Sequence, residues 1–316
     1  MPDYSLFGDC LRSELAFEDL RPLANATPRW TLRMVTEKPP DNGDVIGEVV
    51  DAICAIRLSK HDDGFRLSHS CTADYDISDD GSSIACRPIN SVDLESLRYD
   101  IANRVMAVAF HAAGALCLHS SAVQIDGGVI AFLAPKGYGK STLASALIGS
   151  GAKLVTDDML AVELLPEVRA LPGILGLRLR DDSAQTVLPP DIERRRGVDG
   201  KHVVQRLSED RLMLAKSPLA AIYTLAPVAR AYGHPVVRRT RLSPKASAMS
   251  LVPHSKIGVL LGRGEAAVVL DRAVTLAREV PVFRLEVARD LGEIGTVVNQ
   301  IIDWHTGMVN EVELAS

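Results

Sequence analysis

Two kinds of hydrophobic pattern follow each other along the chain. Up to about residue 90, short stretches of mixed apolar and polar residues are separated by turn signals such as Asp79-Asp80-Gly81, which predicts β-strands. From residue 91 onward, apolar residues at helical spacing recur between compact apolar runs. We therefore predict an α/β protein with a smaller β-rich domain over residues 1–90 and an α/β domain over residues 91–316.

The same hydrophobic pattern predicts where the individual strands and helices lie. The predicted strands are residues 4–7, 30–35, 45–56, 65–69, 83–86, 116–123, 129–133, 153–155, 159–163, 175–179, 218–225 and 280–285. The predicted helices are residues 143–148, 244–251, 265–278 and 291–304, and another that Ser91 opens as N-cap. The longest apolar run, residues 105–118, is shorter than the ~20 residues of a membrane-spanning helix, so we expect a buried helix there.

Composition and charge narrow the class of protein. Hydrophobic residues make up 47% of the chain and charged residues 24%, which is typical of a soluble globular protein. A net charge of −5 gives no general attraction to nucleic acid or to an anionic membrane, and we expect neither as a partner.

The cysteines indicate the redox environment in which the protein is expected. Their number is odd, none forms a C-x-x-C pair, and the first residues lack a basic region followed by an apolar one. We therefore expect a cytoplasmic protein in which all five thiols are reduced: Cys10, Cys54, Cys71, Cys86 and Cys117.

A glycine-rich stretch, Ala-Pro-Lys-Gly-Tyr-Gly-Lys-Ser-Thr at residues 134–142, lies between a predicted strand and a predicted helix. This layout is typical of a phosphate-binding loop. Gly137 and Gly139 let backbone N–H groups turn toward anionic oxygens, while Lys140 would reach the β- and γ-phosphates and Ser141 would bind Mg²⁺. The residues expected to contact the nucleotide are Lys136, Gly137, Tyr138, Gly139, Lys140, Ser141 and Thr142. An ordinary glycine-rich turn is the alternative.

Two adjacent carboxylates, Asp157 and Asp158, end the next predicted strand. There, one could hold Mg²⁺ and the other could take the proton of an attacking hydroxyl. An acidic turn without a role in chemistry is the alternative. Lys201, in a polar segment over residues 189–201, is a further candidate for contact with nucleotide or substrate.

Three motifs follow one another closely: Leu-His-Ser-Ser-Ala-Val at residues 118–123, the loop at residues 137–142 and Val-Thr-Asp-Asp at residues 155–158. Together they make residues 117–165 resemble the catalytic core of the HPr kinase/phosphorylase family. The whole chain is similar to a branch of HPr-kinase-like proteins encoded beside peptide-modification genes, including lasso-peptide kinases. Tyr-Ser-Leu-Phe-Gly at residues 4–8 and Val-Pro-Val-Phe-Arg-Leu at residues 280–285 support that branch.

The resemblance implies a phosphate-loop domain with a mixed β-sheet that uses ATP and Mg²⁺. It implies that Lys140 binds the phosphates and that Ser141 binds the metal with help from Asp158. Asp157 would be the base toward the acceptor hydroxyl, and His119 would lie near the phosphates or the acceptor.

Two departures from the family pattern bear on the direction of phosphoryl transfer. Ala134 replaces the first loop glycine, and the Arg-Pro-Gly-Arg-Asn-like signature associated with phosphorylase activity is missing. We therefore expect a kinase that works in one direction on a Ser or Thr hydroxyl of a peptide or small protein, with a homo-oligomer left open. The alternatives are transfer to a small-molecule alcohol, NTP hydrolysis, or a non-catalytic nucleotide sensor whose first ~90 residues bind a partner.

Overall fold

The computed structural model describes residues 1–37, 42–173, 177–179, 186–187, 195–196, 202–204, 207–229 and 235–306. The chain forms two compact units, Met1–Cys117 with Ser255–Arg272, and Leu118–His254 with Ala273–Ser316. The predicted domain boundary at residue 90 falls inside the first unit. Helical residues beyond it pack on the preceding strands: the rings of Phe110 and Trp30 meet edge to face with centroids 5.4 Å apart.

Strands β1–β9 form the sheet of the first unit. They are β1 (Asp3–Leu6), β2 (Asp9–Ser13), β3 (Pro22–Leu23), β4 (Trp30–Met34), β5 (Asp44–Val50), β6 (Ala55–His61), β7 (Gly64–His69), β8 (Ala73–Ser78) and β9 (Ser83–Pro88). Their order is β3-β1-β2-β4-β9-β8-β7-β6-β5, with parallel pairing on both sides of β4. The β-rich character predicted for this region is confirmed, although the sequence pattern missed β2, β3 and β8 and merged β5 with β6.

Three consecutive helical segments follow the sheet: α1 (Leu94–Asp100), a π-helical turn (Ile101–Val105) and α2 (Met106–Ala112). The predicted N-cap at Ser91 is wrong, because the carboxylate of Asp93 accepts the N–H of Ser96 at 2.8 Å. The predicted buried helix is confirmed over α2, and Gly114, with a φ of 86°, turns the chain after it.

Within the described ranges, no helix combines the length and apolarity needed to span a membrane.

The expectation that every thiol is reduced is wrong for two cysteines, since Cys54 and Cys71 form a disulfide. The cause is the strand register. In the antiparallel pair of β6 and β7, Ile56 faces His69, and extending that register by two residues places Cys54 opposite Cys71. The other three cysteines are free and buried. The cytoplasmic location stays a prediction, and the disulfide counts against it because such bonds are rare in reducing compartments.

The second unit is built on a mixed β-sheet, as the resemblance implied. The later strands are β10 (Leu116–Leu118), β11 (Ser120–Ile125), β12 (Gly128–Leu133), β13 (Lys153–Thr156), β14 (Leu160–Glu163), β15 (Arg169–Ala170), β16 (Leu177–Leu179), β17 (Arg195–Arg196), β18 (His202–Val204), β19 (Ser217–Val228), β20 (Val237–Arg241) and β21 (Val282–Ala288). The sheet order includes β14-β15-β19-β12-β11-β13, and β21 joins β19 to β20. Strands β12, β19 and β21 run parallel to one another, whereas β11 is antiparallel to both of its neighbours.

The longer helices that follow β12 agree with the predicted ones to within a few residues. They are α3 (Lys140–Gly149), Pro244–Leu251, Arg263–Glu279 and Ile294–His305. Short 3₁₀ turns lie at Glu209–Arg211, Val252–His254, Gly258–Leu260 and Leu291–Glu293. Ser243 caps the second of these helices, with its hydroxyl accepting the N–H of Ala246 at 3.4 Å.

An aromatic stack holds the middle of this sheet. The Tyr223 ring lies between Phe132 and Phe283, with centroid distances of 5.8 and 5.4 Å. Because Phe132 belongs to β12 and all but the first residue of β12 is buried, the strand that leads into the glycine-rich stretch is fixed in the core.

Candidate active site

Strand β11 lies between the two strands that lead to the predicted site residues. On one side Ser120 pairs with Leu133 of β12, and on the other Ala122 pairs with Thr156 of β13. Because β11 is antiparallel to both, its beginning lies at the same sheet edge as the ends of β12 and β13. Extending the two registers by one residue places His119 opposite Ala134 and Ser121 opposite Asp157.

Residues 134–142, called the glycine loop from here on, connect β12 to α3. Gly137 and Gly139 have φ values of 90° and 91°, in the left-handed region that favours glycine. A Cβ added at Gly139 would meet nothing within 4 Å, so backbone conformation rather than space requires glycine there. Ala134, which replaces the first glycine of the family pattern, is buried and does not have a positive φ. The loop therefore tolerates alanine at that position.

The side chain of Lys140 folds beneath the glycine loop and is only 8% exposed. Its Nζ donates to the backbone oxygen of Ala134 at 2.7 Å and lies 3.3 Å from Nε2 of His119. An ammonium group can only donate, so Nε2 of His119 accepts and the ring proton is assigned to Nδ1. The structure thus brings together Lys140, which is predicted to bind phosphate, and the histidine predicted near it.

Nδ1 of His119 faces the first turn after β13. It lies 3.1 Å from both the backbone oxygen and Oδ1 of Asp158. With the proton on Nδ1, the His119 ring donates to Asp158 on one side and accepts from Lys140 on the other. The ring joins the residue predicted to bind phosphate to the residue predicted to serve the metal.

Asp157 is oriented by a hydroxyl that the sequence argument did not single out. Ser121 is fully buried, and its Oγ donates to Oδ1 of Asp157 at 2.6 Å. A short bond from a hydroxyl to a carboxylate stabilises the charged form and fixes the side chain's rotamer. The signal was present in the sequence, because His119 and Ser121 are two residues apart in the strand predicted over residues 116–123 and would point to the same face.

The turn that carries both aspartates is tightly packed from behind. The hydroxyl of Thr156 donates to the backbone oxygen of Met159 at 2.9 Å, closing the turn. The N–H of Gly173 donates to the backbone oxygen of Val155 at 2.7 Å. A Cβ added at Gly173 would lie only 2.3 Å from the Thr156 hydroxyl oxygen. Only glycine lets the chain approach this closely, so Gly173 helps to fix the position of Asp157 and Asp158.

A second histidine, His254, was missed because nothing marks it in the sequence. Its backbone oxygen accepts the N–H of His119 at 2.7 Å. Burial lowers the pKa of His254 below its usual range, and the positive charge of Lys140 lowers it further. The ring is therefore neutral at pH 7 and adds no positive charge beside Lys140.

The oxygen donors present fit Mg²⁺ in company with a nucleotide. Mg²⁺ is usually bound through one or two protein oxygens, with phosphate oxygens and water completing the shell. Ser141, half-buried in the first turn of α3, offers a hydroxyl, and Asp158, 35% exposed, offers a carboxylate. Among the described residues, no group of three or more His, Cys, Asp or Glu side chains could hold a metal without the nucleotide.

The other predicted nucleotide contacts lie in or directly after the glycine loop. Lys136, Gly137, Tyr138 and Gly139 are exposed, and Thr142 is half-buried. Lys201 lies outside the described residues, as does most of the segment over residues 189–201.

Fold and site together define a mixed α/β protein with a glycine loop, a buried lysine and two aspartates at one sheet edge. No family model matches the sequence, and no curated protein matches it. Among solved structures, the chain is similar to "Structure of the Hpr(Ser) kinase/phosphatase from Coxiella burnetii", with 11% identity, coverage of 63% of this chain and 99% of that chain, and a TM-score of 0.32. A TM-score this low carries no argument, so function has to be inferred from this chain's own residues.

Proposed function

We propose that the chain is a Mg²⁺- and ATP-dependent kinase that transfers the γ-phosphoryl group to a Ser or Thr hydroxyl of a peptide or small protein. The observation that carries the proposal is the meeting of Lys140, His119 and Asp158 in one hydrogen-bonded chain, with Asp157 beside them. A glycine loop alone can serve binding. A loop joined to two carboxylates at the same edge also provides a base and a metal ligand.

Each residue then has a part in the transfer. The loop N–H groups and Lys140 hold the phosphates, and Asp157 accepts the proton of the acceptor hydroxyl. The bond from the γ-phosphorus to the bridging oxygen breaks, a bond to the acceptor oxygen forms, and ADP leaves. When bound by Ser141 and Asp158, Mg²⁺ would supply positive charge against the phosphate oxygens.

The acceptor of the phosphoryl group is a hydroxyl. A weak nucleophile such as a hydroxyl needs a positioned base, and Asp157 meets that need for any alcohol. The choice of a peptide or small protein rests on two resemblances: that of residues 117–165 to the core of HPr kinase/phosphorylase, and that of the outer segments to kinases encoded beside peptide-modification genes.

Incubation with γ-labelled ATP and Mg²⁺ tests the proposal. The full chain would be mixed with serine- and threonine-containing peptides, with a panel of small alcohols, and with neither, and Asp157→Asn would be run alongside. Label on a peptide, lost in the variant, is the expected result. Label on a metabolite would favour a small-molecule kinase, and free phosphate alone an NTPase. ATP binding without turnover would favour a nucleotide sensor.

A further inference from the structure

Two exposed side chains meet at the rim of the glycine loop. In the parallel strands β12, β19 and β21, Leu133 pairs with Thr224 and Thr224 pairs with Arg284, so their carboxyl ends face the same edge. The glycine loop leaves β12 at that edge, and Arg289 follows the last residue of β21. The N–H of Arg289 donates to the backbone oxygen of Val228 at 3.0 Å, which extends the strand pairing by one residue.

The guanidinium of Arg289 lies over the ring of Tyr138, with Cζ 5.7 Å from the ring centroid. Tyr138, in the glycine loop, is 43% exposed, and Arg289 is exposed as well. At an exposed site such a pair contributes little to stability, so the fold does not depend on it. What the pair provides is a flat, open surface beside a candidate phosphate site.

We propose that Tyr138 and Arg289 form the nucleobase subsite, which holds the base of the nucleotide by stacking; this rests on the proposed nucleotide-binding function. Stacking on an aromatic ring accepts any base, since every base has a π-face. A base held between ring and guanidinium needs two contact distances of about 3.5 Å, or roughly 7 Å in total. The present 5.7 Å is about 1 Å short of that, and a small movement of the flexible arginine side chain supplies the difference.

The different positions of Lys140 and Tyr138 in the loop indicate that the pair of Tyr138 and Arg289 binds the base and not the phosphates. Lys140, the cation assigned to the phosphates, is 8% exposed and lies beneath the loop. The Tyr138 ring is 43% exposed and has no charge to offer a phosphate. A phosphate group would therefore be held by the loop N–H groups and Lys140, leaving the open face of Tyr138 for the uncharged end of the nucleotide.

Calorimetry with two ligands tests this subsite. MgATP has a base, whereas tripolyphosphate with Mg²⁺ has only the phosphates. Tyr138→Ala and Arg289→Ala should each weaken MgATP binding roughly 5- to 100-fold, the range found for loss of one stacking contact. Both should leave tripolyphosphate affinity within about twofold, because the phosphate contacts of the loop are untouched. Arg241→Ala, which removes an exposed arginine on β20, is the matched control for lost positive charge and should change neither affinity.

Arg289→Lys separates charge from shape. It keeps the positive charge but loses the planar group, so MgATP should still bind more weakly than to the wild type. If Arg289→Ala weakened tripolyphosphate as much as MgATP, or if Arg289→Lys restored full affinity, Arg289 would be a phosphate contact and the inference would be overturned. Wild-type MgATP affinity in both alanine variants would overturn it while leaving the proposed kinase intact. A wild-type chain that bound neither ligand would refute the kinase itself.

Discussion

Asp157→Asn is the substitution that most directly addresses the chemistry. In the wild type the Ser121 hydroxyl donates to Oδ1 of Asp157 at 2.6 Å. Asparagine keeps the shape of the side chain and an oxygen that can still accept this hydrogen bond. What it removes is the negative charge and the ability to take a proton. The turn and the strand register should therefore survive, and only the base is lost.

The size of the effect follows from that role. A positioned base contributes about 10²- to 10⁴-fold, or ~3–5 kcal/mol of the barrier, and transfer should slow by this factor. MgATP affinity should stay the same or rise slightly, because a negative charge beside Asp158 and the phosphates has been removed. The rate of transfer and the affinity thus move independently.

Single-turnover transfer from γ-labelled ATP measures the first quantity and calorimetry the second. Ser121→Ala is the matched control, since it removes the orienting hydroxyl but keeps the carboxylate, and it should cost less than the asparagine. If Asp157→Asn transferred phosphate within about threefold of the wild type, or lost rate only in parallel with MgATP affinity, Asp157 would not be the base.

Three further predictions concern binding and stability. Lys140→Ala should weaken both MgATP and tripolyphosphate at least about tenfold by calorimetry, since a buried cation is lost; undiminished affinity would contradict its role. Burial lowers the pKa of His305 to about 4 in the folded protein, whereas in the unfolded chain this pKa is about 6.5. The folded protein therefore has its full stability above pH 6.5, and the free energy of unfolding falls by up to ~3 kcal/mol as the pH drops to 4. Urea unfolding at pH 7 and 5 should show a smaller difference for His305→Phe than for the wild type, and equal differences would refute this. Reducing Cys54–Cys71, which closes a separation of 17 residues, should lower the free energy of unfolding by about 3 kcal/mol, whereas Cys54→Ala should not respond to reductant.

Local patterns predicted most elements of the fold, but not their long-range pairing. The Ser243 cap and the helix after it could be read directly, because a side-chain oxygen satisfies a nearby N–H. The return of residues 255–272 to the first unit could not, since it depends on contacts such as Lys60 Nζ to Glu265 Oε1 at 2.9 Å. Nothing in either segment specifies a partner about 200 residues away. The disulfide was missed for a related reason, because counting cysteines ignores the register that places Cys54 opposite Cys71.

Part of the candidate site was within reach of the sequence. Asp126 and Gly127 have φ values of 47° and 79° and form the two-residue turn between β11 and β12. Counting back from that turn places His119 opposite Ala134 at the start of the glycine loop. Strand β13 pairs with β11 and not with β12, and this pairing brings Asp157 to Ser121. It depends on contacts between segments that are distant in the sequence. Sequence order alone could not supply that half of the site.

The position of β11 between β12 and β13 also explains why His119 matters whether or not it touches a substrate. His119 and Ser121 lie at the beginning of β11, where His119 contacts Lys140 and Asp158 and Ser121 contacts Asp157. Any shift of β11 would move the contact to Lys140 and the contact to Asp157 in the same direction. The backbone bond from His119 to His254 opposes such a shift, and the packing of Gly173 on Thr156 fixes the turn that carries Asp157. The two halves of the proposed site are therefore held at a fixed spacing by the sheet itself, as in-line transfer between a bound phosphate and a positioned hydroxyl requires.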